Sequence, residues 1–219
     1  MARNRDPFTQ ALASLRERLL SGVLAPGAPV IVQDEAARLK LSTTPVREAL
    51  ACLSGEGLVQ RAPSGGYVSV RLDAAAARDR YAMHGHYVRI AAELNASALG
   101  AVRPPAPALD MRQPIAAVRQ LFTTIISSAG NEVLWEAYLR ASGQLDRLRR
   151  LESVLFDDLA AEAAALHHAW VNAQANDFLG EVERYHARRV AAATALAALA
   201  HRPVGPDGAG AATADPGSA

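Results

Sequence analysis

One cysteine, Cys52, and one lysine, Lys40, are all that 219 residues contain of either type. A lone cysteine excludes an intrachain disulfide, and the place of Cys52 beside Leu53 on a helical pattern suggests a small packing residue rather than a redox centre. Scarce lysine beside abundant arginine and alanine reads as genomic GC bias. Apolar runs of ~18 residues are missing, which excludes a spanning helix, and the opening MARNRD passes at once into an amphipathic stretch rather than a signal peptide. A soluble, cytoplasmic protein without membrane contact is the expectation. GxSxG, HExxH, a Walker loop and a dinucleotide fingerprint are also absent, and Cys52 has no obvious histidine partner, so neither catalysis nor a cofactor is expected.

The most informative stretch that is present runs from Leu41 to Tyr67, LSTTPVREALACLSGEGLVQRAPSGGY. Thr44 can cap a helix, Pro45 suits a first helical position, and Gly57 stops the helix. Between them Val46, Ala49, Leu50 and Leu53 recur at i, i+3, i+4 and i+7, which buries one face. The other face carries Thr43, Thr44, Arg47, Glu48 and Ala51 and is slim enough for a major groove about 12 Å wide. Phe8 to Ser21 is amphipathic and ends at Gly22; Pro26 and Gly27 turn the chain; Asp34 to Lys40 is a short helix with acids at its positive end. Leu58 to Arg61 and Tyr67 to Val70 alternate around SerGlyGly as a strand, a turn and a strand. Three helices and a hairpin make a winged helix-turn-helix over residues 1–72.

These residues resemble the GntR family of bacterial regulators, whose first domain reads as a helix, GxLxPGxxL, LAxxLxVSRTPVREAL, LxxEGLV and a glycine-containing wing. GVLAPGAPV at 22 to 30, EAARLKLSTTPVREAL at 35 to 50, LSGEGLVQ at 53 to 60 and GGYVSV at 65 to 70 follow that order. The resemblance covers about residues 8 to 72 and implies double-stranded DNA as partner, with Ser42, Thr43, Thr44, Arg47, Gly65 and Gly66 at the contact. Two departures stand out: the family usually has arginine at Thr43 and often a basic residue at Gly65. Hydroxyls and helix N-terminal N–H groups bond phosphate, whereas arginine can fork onto guanine, so Arg47 is the expected base reader. Residues 1–72 hold nine Arg/Lys against six Asp/Glu, and 73–219 hold fourteen against sixteen, which suits a DNA-facing half and a half that faces other things.

The second half is alanine-rich and helical in pattern, without a convincing strand. Helices are expected over Ala74 to Leu99, Pro114 to Ser128, Glu132 to Leu151, Val154 to Asn176 and Asp177 to Leu199, with breaks at Gly100 to Pro107 and at the 127–131 turn. Leu134, Tyr138, Leu145 and Leu148 should point inward, and Trp135, Trp170 and Tyr185 should be core. A tail over 202–219, rich in Pro, Gly and Ala, reads as disordered. The fold class is thus mainly α: an N-terminal winged helix followed by an all-helical effector and dimerisation domain over 73–201.

That half is similar to the FCD-type effector domain of the FadR-like branch, on SSAGNEVL near 127 to 134, LRRLE at 148 to 152, and the block from His168 through ANDF to His186. In many members an Asp and three His hold a divalent metal, and a first-helix arginine helps hold a carboxylate. Here the first His falls at Phe122 or Thr123, the Asp is absent, and His84 replaces the arginine. Two recoverable histidines do not make a metal site, and His84 and His86 point to different faces of one helix. No metal is expected; His84, His168 and His186 are instead the candidates for holding a small organic-acid effector. The resulting expectation is a homodimeric, metabolite-responsive repressor on a pseudo-palindromic operator, with its two recognition helices ~34 Å apart. The alternatives are a helical interaction protein and a ligand-independent regulator with a degenerate pocket.

Overall fold

The computed structural model describes residues 6–98, 105–172 and 175–202. The expected break at Gly100 and the tail beyond Arg202 lie outside them. The first helix, α1 (Pro7–Ser21), starts where the Asp6 carboxylate accepts the Thr9 N–H at 3.1 Å and stops at Gly22, whose φ of 86° closes the last turn. It buries Ala11, Leu15, Leu19 and Leu20. A two-residue strand, β1 (Pro29–Val30), leads to α2 (Val32–Leu39), which ends at Lys40 in the left-handed region.

The next helix, α3 (Thr43–Gly55), begins earlier than its capping pattern suggests: Ser42 occupies the cap position without a side-chain bond, and Thr44 and Pro45 sit inside the first turn. Proline is tolerated there because the first four N–H groups of a helix have no intrahelical acceptor. Gly57 does end the unit, with φ of 74° and paired bonds from Leu58 N to Leu53 O and from Gly57 N to Ser54 O. Strands β2 (Val59–Arg61) and β3 (Tyr67–Ser69) form the hairpin, but the sheet has three strands in the order β1-β3-β2, all antiparallel. A strand of two residues shows no alternation, so β1 is invisible to periodicity; its proline is tolerated at the sheet edge. Val46, Ala49, Leu50 and Leu53 are fully buried against α1, as their spacing requires. Cys52 does not pack: it is exposed, with its thiol 3.4 Å from a Glu56 oxygen.

Beyond Asp73 the described chain is helical: α4 (Ala74–Ala98), α5 (Pro114–Ser128), α6 (Glu132–Arg149), α7 (Glu152–Leu155), α8 (Leu159–Asn172) and α9 (Ala175–Ala200). Leu134, Tyr138, Leu145 and Leu148 face the core, as do Trp170 and Tyr185, while Trp135 is partly buried against it. The expected continuous helices over 132–151 and 154–176 are corrected. Helix α6 stops at Arg149, α7 is four residues, and Phe156 is extended. The break delivers Glu152, which is fully buried, to the guanidinium of Arg189, with Arg189 Nη2 donating to Glu152 Oε2 at 2.8 Å. Among the described residues no helix is long and apolar enough to cross a membrane.

Helix α6 also ties the two halves together. Arg140 donates to the Gly55 carbonyl, Gln144 to the Gly57 carbonyl at 3.4 Å, Arg147 to the Leu19 carbonyl at 3.3 Å, and Arg150 forks onto Glu17 at 2.8 and 2.9 Å. The end of α3 is therefore held by side chains from the helical half. A Cβ at Gly57 would lie 2.0 Å from Gln144 Nε2. Gly57→Ala should then cost ~1–2 kcal/mol through its left-handed backbone. A further loss from expelling Gln144 should vanish in a Gln144→Ala background; denaturant unfolding of the four-member cycle measures both parts, and an effect near zero in either background would contradict the backbone argument.

Candidate nucleic-acid interface and buried histidine pair

The outer face of α3 and the wing hairpin enclose an open groove of about 530 Å³, lined by Arg47, Glu48, Ala51, Arg61, Gly65 and Gly66 among others. Arg47 reaches it because positions 46, 49, 50 and 53 are committed to the core, which turns position 47 outward on the first turns of α3. Arg47 is exposed and makes no ion pair among the described residues. Ser42, Thr43 and Thr44 are exposed at the N-terminal tip of the same helix, where the free N–H groups lie. Gly65 and Gly66 turn the wing at φ of 91° and 79°, closed by the Gly65 N to Ala62 O bond at 2.9 Å. Five of the six residues therefore lie on the α3 tip or at the wing tip, and Arg47 lies between them.

Sequence reasoning missed Arg61. It stands on β2, exposed, with its guanidinium 5.9 Å from the Tyr67 ring centre. Strand alternation gave no signal for it, since it would turn Arg61 to the same side as the buried Val59, whereas Gln60 and Arg61 are both exposed. With Arg47 it supplies two cations to the lining of one groove.

The histidines of the helical half divide. His168 lies exposed on α8, away from the other two, so the expected trio is not one site. The reason is periodicity: Ala163, Leu166, Ala169 and Trp170 take the inward face of α8 and leave position 168 outside. His84 and His186 are buried and touch, Nδ1 to Nε2 at 2.8 Å. His86, two residues along α4, is exposed.

Their protonation follows from one neighbour. An Arg149 Nη2 lies 2.8 Å from His84 Nε2, and arginine can only donate, so His84 Nε2 accepts. His84 must then carry its proton on Nδ1 and donate to His186 Nε2. That leaves His186 protonated on Nδ1, donating to the Val182 carbonyl at 2.7 Å. The chain Arg149, His84, His186, Val182 is one directed line of donors, with both imidazoles neutral. Burial and the Arg149 charge push His84 well below the ordinary range, and burial holds His186 down to about 3.

Arg149 is itself buried and completes its bonds with the Ser142 carbonyl and hydroxyl at 2.9 Å each and with Asp146 at 3.2 Å. It sits on the inward stripe that Leu145 and Leu148 announce, a charged residue where the apolar pattern calls for a hydrophobic one. Aromatic rings close the rest. Phe122 stacks on His186 at 5.6 Å between ring centres, Tyr138 lies 4.9 Å from His84, and Tyr185 lies edge-on to Phe122 at 5.3 Å.

The arrangement does not fit a metal. Each histidine nitrogen facing the cluster is already engaged, and no three His, Cys, Asp or Glu come together among the described residues. His84 is enclosed by Phe122, Tyr138 and His186, while His186 also lies on the wall of an open pocket of about 500 Å³ with Gly85, His86 and Arg89.

Residues 8–68 match the profile of the bacterial regulatory proteins, gntR family. Over 147 residues the chain is 33% identical to an uncharacterized HTH-type transcriptional regulator in an unstable DNA locus of Streptomyces ambofaciens, and the match spans 63% of this chain and 62% of that protein. Among solved structures, E. coli McbR/YncC superposes with a TM-score of 0.59 at 18% identity, covering 86% of this chain and 97% of the other. A putative transcriptional regulator GntR from Rhodococcus sp. RHA1 gives 0.62 at 14%, again covering 86% and 97%. At such identities these two report the fold.

The neutral pair has a pH signature. In the unfolded chain both histidines take up protons below the ordinary 6.5, whereas the folded chain refuses them until far lower, His186 until about 3. Their stabilisation is thus complete above 6.5 and is lost as pH falls through that window, approaching roughly 1.4 kcal/mol per pH unit for each histidine. Denaturant unfolding at pH 7, 6 and 5 should show this fall, and His186→Gln, which can still accept from His84 and donate to Val182, should remove one proton's share. A stability unchanged between pH 7 and 5 would contradict the neutral assignment.

Proposed function

We propose that this chain, whose residues 8–68 match the gntR family of bacterial regulatory proteins, is a DNA-binding transcriptional regulator that acts in the cytoplasm as a repressor, gripping a pseudo-palindromic operator as a homodimer. The observation that carries the reading is the groove lined together by Arg47 of α3, Arg61 of β2 and the wing glycines Gly65 and Gly66. In this reading α3 enters the major groove, Arg47 reads guanine, and Ser42, Thr43 and Thr44 approach phosphate with the helix N-terminus. Gly65 and Gly66 bring the wing backbone to the flanking strand. Arg61 supplies a cation on the wing side that Thr43 and Gly65 do not.

An exposed apolar stripe on α4 supports the dimer. Met83, Ile90 and Leu94 are 44%, 40% and 36% exposed and recur at seven and four residues, the spacing of a helix seam. In this reading the interface lies on α4. The helical half is proposed as a divergent FCD-type effector domain spanning 73–201. The mutual bonding of His84 and His186 favours a reading in which these two side chains hold each other rather than a ligand, so a response to a metabolite would arise elsewhere on the domain.

Selection of bound sequences from random DNA tests the proposal. Two half-sites with centres about 10–10.5 base pairs or a multiple apart are expected. Arg47→Ala should weaken the selected operator by ~1–3 kcal/mol and relax the base preference at one position of each half-site. Selection of nothing beyond random sequence, or an unchanged preference in Arg47→Ala, would overturn the base-reading role, and single half-sites would overturn the symmetric dimer.

A further inference from the structure

Away from the histidine pair, a cleft of about 600 Å³ opens where the N-terminus of α5, the C-terminus of α6, α7 and the start of α8 meet Leu20 of α1. That volume falls within the range of small-molecule sites. Its walls carry three guanidinium groups, Arg119, Arg149 and Arg150, against one carboxylate, Asp146. Arg149 is committed to the buried chain of bonds described above. Arg119 and Arg150 are not: their side chains are 49% and 44% exposed, one paired with Asp146 at 2.7 Å and the other with Glu17 at 2.8 Å.

Both pairs are easily exchanged. Such half-exposed pairs gain little over water. If another anion takes Arg119, Asp146 keeps its bond to Arg149 and is not left buried and alone. If another anion takes Arg150, Glu17, 61% exposed, turns into solvent. A ligand with two anionic groups can replace both carboxylates at once, and each guanidinium offers it a planar fork. The first turn of α5 adds to the same wall through Ile115 and Ala116, with Gln113 making no side-chain cap in front of them.

We propose that this cleft binds a small organic dianion, a dicarboxylate or a phosphate ester, held between Arg119 and Arg150. Occupancy releases Glu17 from Arg150 and so loosens α6 from α1. Since α6 also holds the carbonyls of Gly55 and Gly57 through Arg140 and Gln144, the end of the recognition helix is freed with it. This second step rests on the regulator reading above; the site itself does not.

Titration calorimetry of the full chain, at constant ionic strength, tests the site with succinate in one arm and inorganic phosphate in the other. Saturable binding of one anion per chain is expected, weakened about tenfold in Arg119→Gln and in Arg150→Gln, and unchanged in Arg89→Gln, a charge-matched change outside the cleft. Stronger succinate binding assigns a dicarboxylate, and stronger phosphate binding assigns a phosphate ester. No saturable heat in either arm, or binding that survives both cleft variants, overturns the site. Binding that leaves operator affinity unchanged overturns the link to α6. Operator affinity measured without either anion remains an independent test of DNA binding, so the two failures are distinguishable.

Discussion

A guanidinium in a protein interior accepts no hydrogen bonds and cannot lose its charge, so everything around Arg149 has to be arranged as acceptors. Two come from the helix's own Ser142, one from Asp146, and the last from His84 on α4. That last demand fixes the tautomer of His84, and through it that of His186 on α9. Three helices are thereby pinned by one charge. An unpaired buried charge is costly enough that any rearrangement of α4, α6 or α9 must keep these partners or expel Arg149. A similar arrangement stands nearby, where Arg189 lies between Glu152 and Glu162 over the Tyr185 ring.

The consequence runs outward along α6. Its inner face holds the arginine and histidine chain, and its outer face holds the carbonyls at the end of α3 and the carboxylate of Glu17 on α1. One helix therefore connects the polar core of one half to the groove-facing helix of the other. Helix α6 is thus the element that both halves share.

Much of the winged helix was legible because its signals are local. The spacing of Val46, Ala49, Leu50 and Leu53 turns Arg47 outward whatever the rest of the chain does, and Gly57 marks the end of α3 by its backbone conformation. What was not legible depends on distant partners. Strand β1 exists only because Pro29 and Val30 meet β3, and the break after Arg149 exists because Glu152 answers Arg189, thirty-odd residues later. His168 and His186 look alike as letters, yet the inward faces of their helices separate them. Arg149 carried a signal, a charge on an apolar stripe, but LRRLE alone does not say which of its two arginines the stripe selects. Arg61 drew no notice because strand alternation does not reveal that it lines a groove with Arg47.

The directed chain from Arg149 through two neutral imidazoles is the claim on which the pinning of α4, α6 and α9 depends. Nitrogen-15 NMR of the histidine rings measures it most directly. Between pH 8 and 5, the rings of His84 and His186 should both report the neutral form protonated on Nδ1, unchanged across the range and indifferent to added zinc. A ring protonated on Nε2, an imidazolium at pH 6, or a zinc-induced shift at either residue would contradict the account.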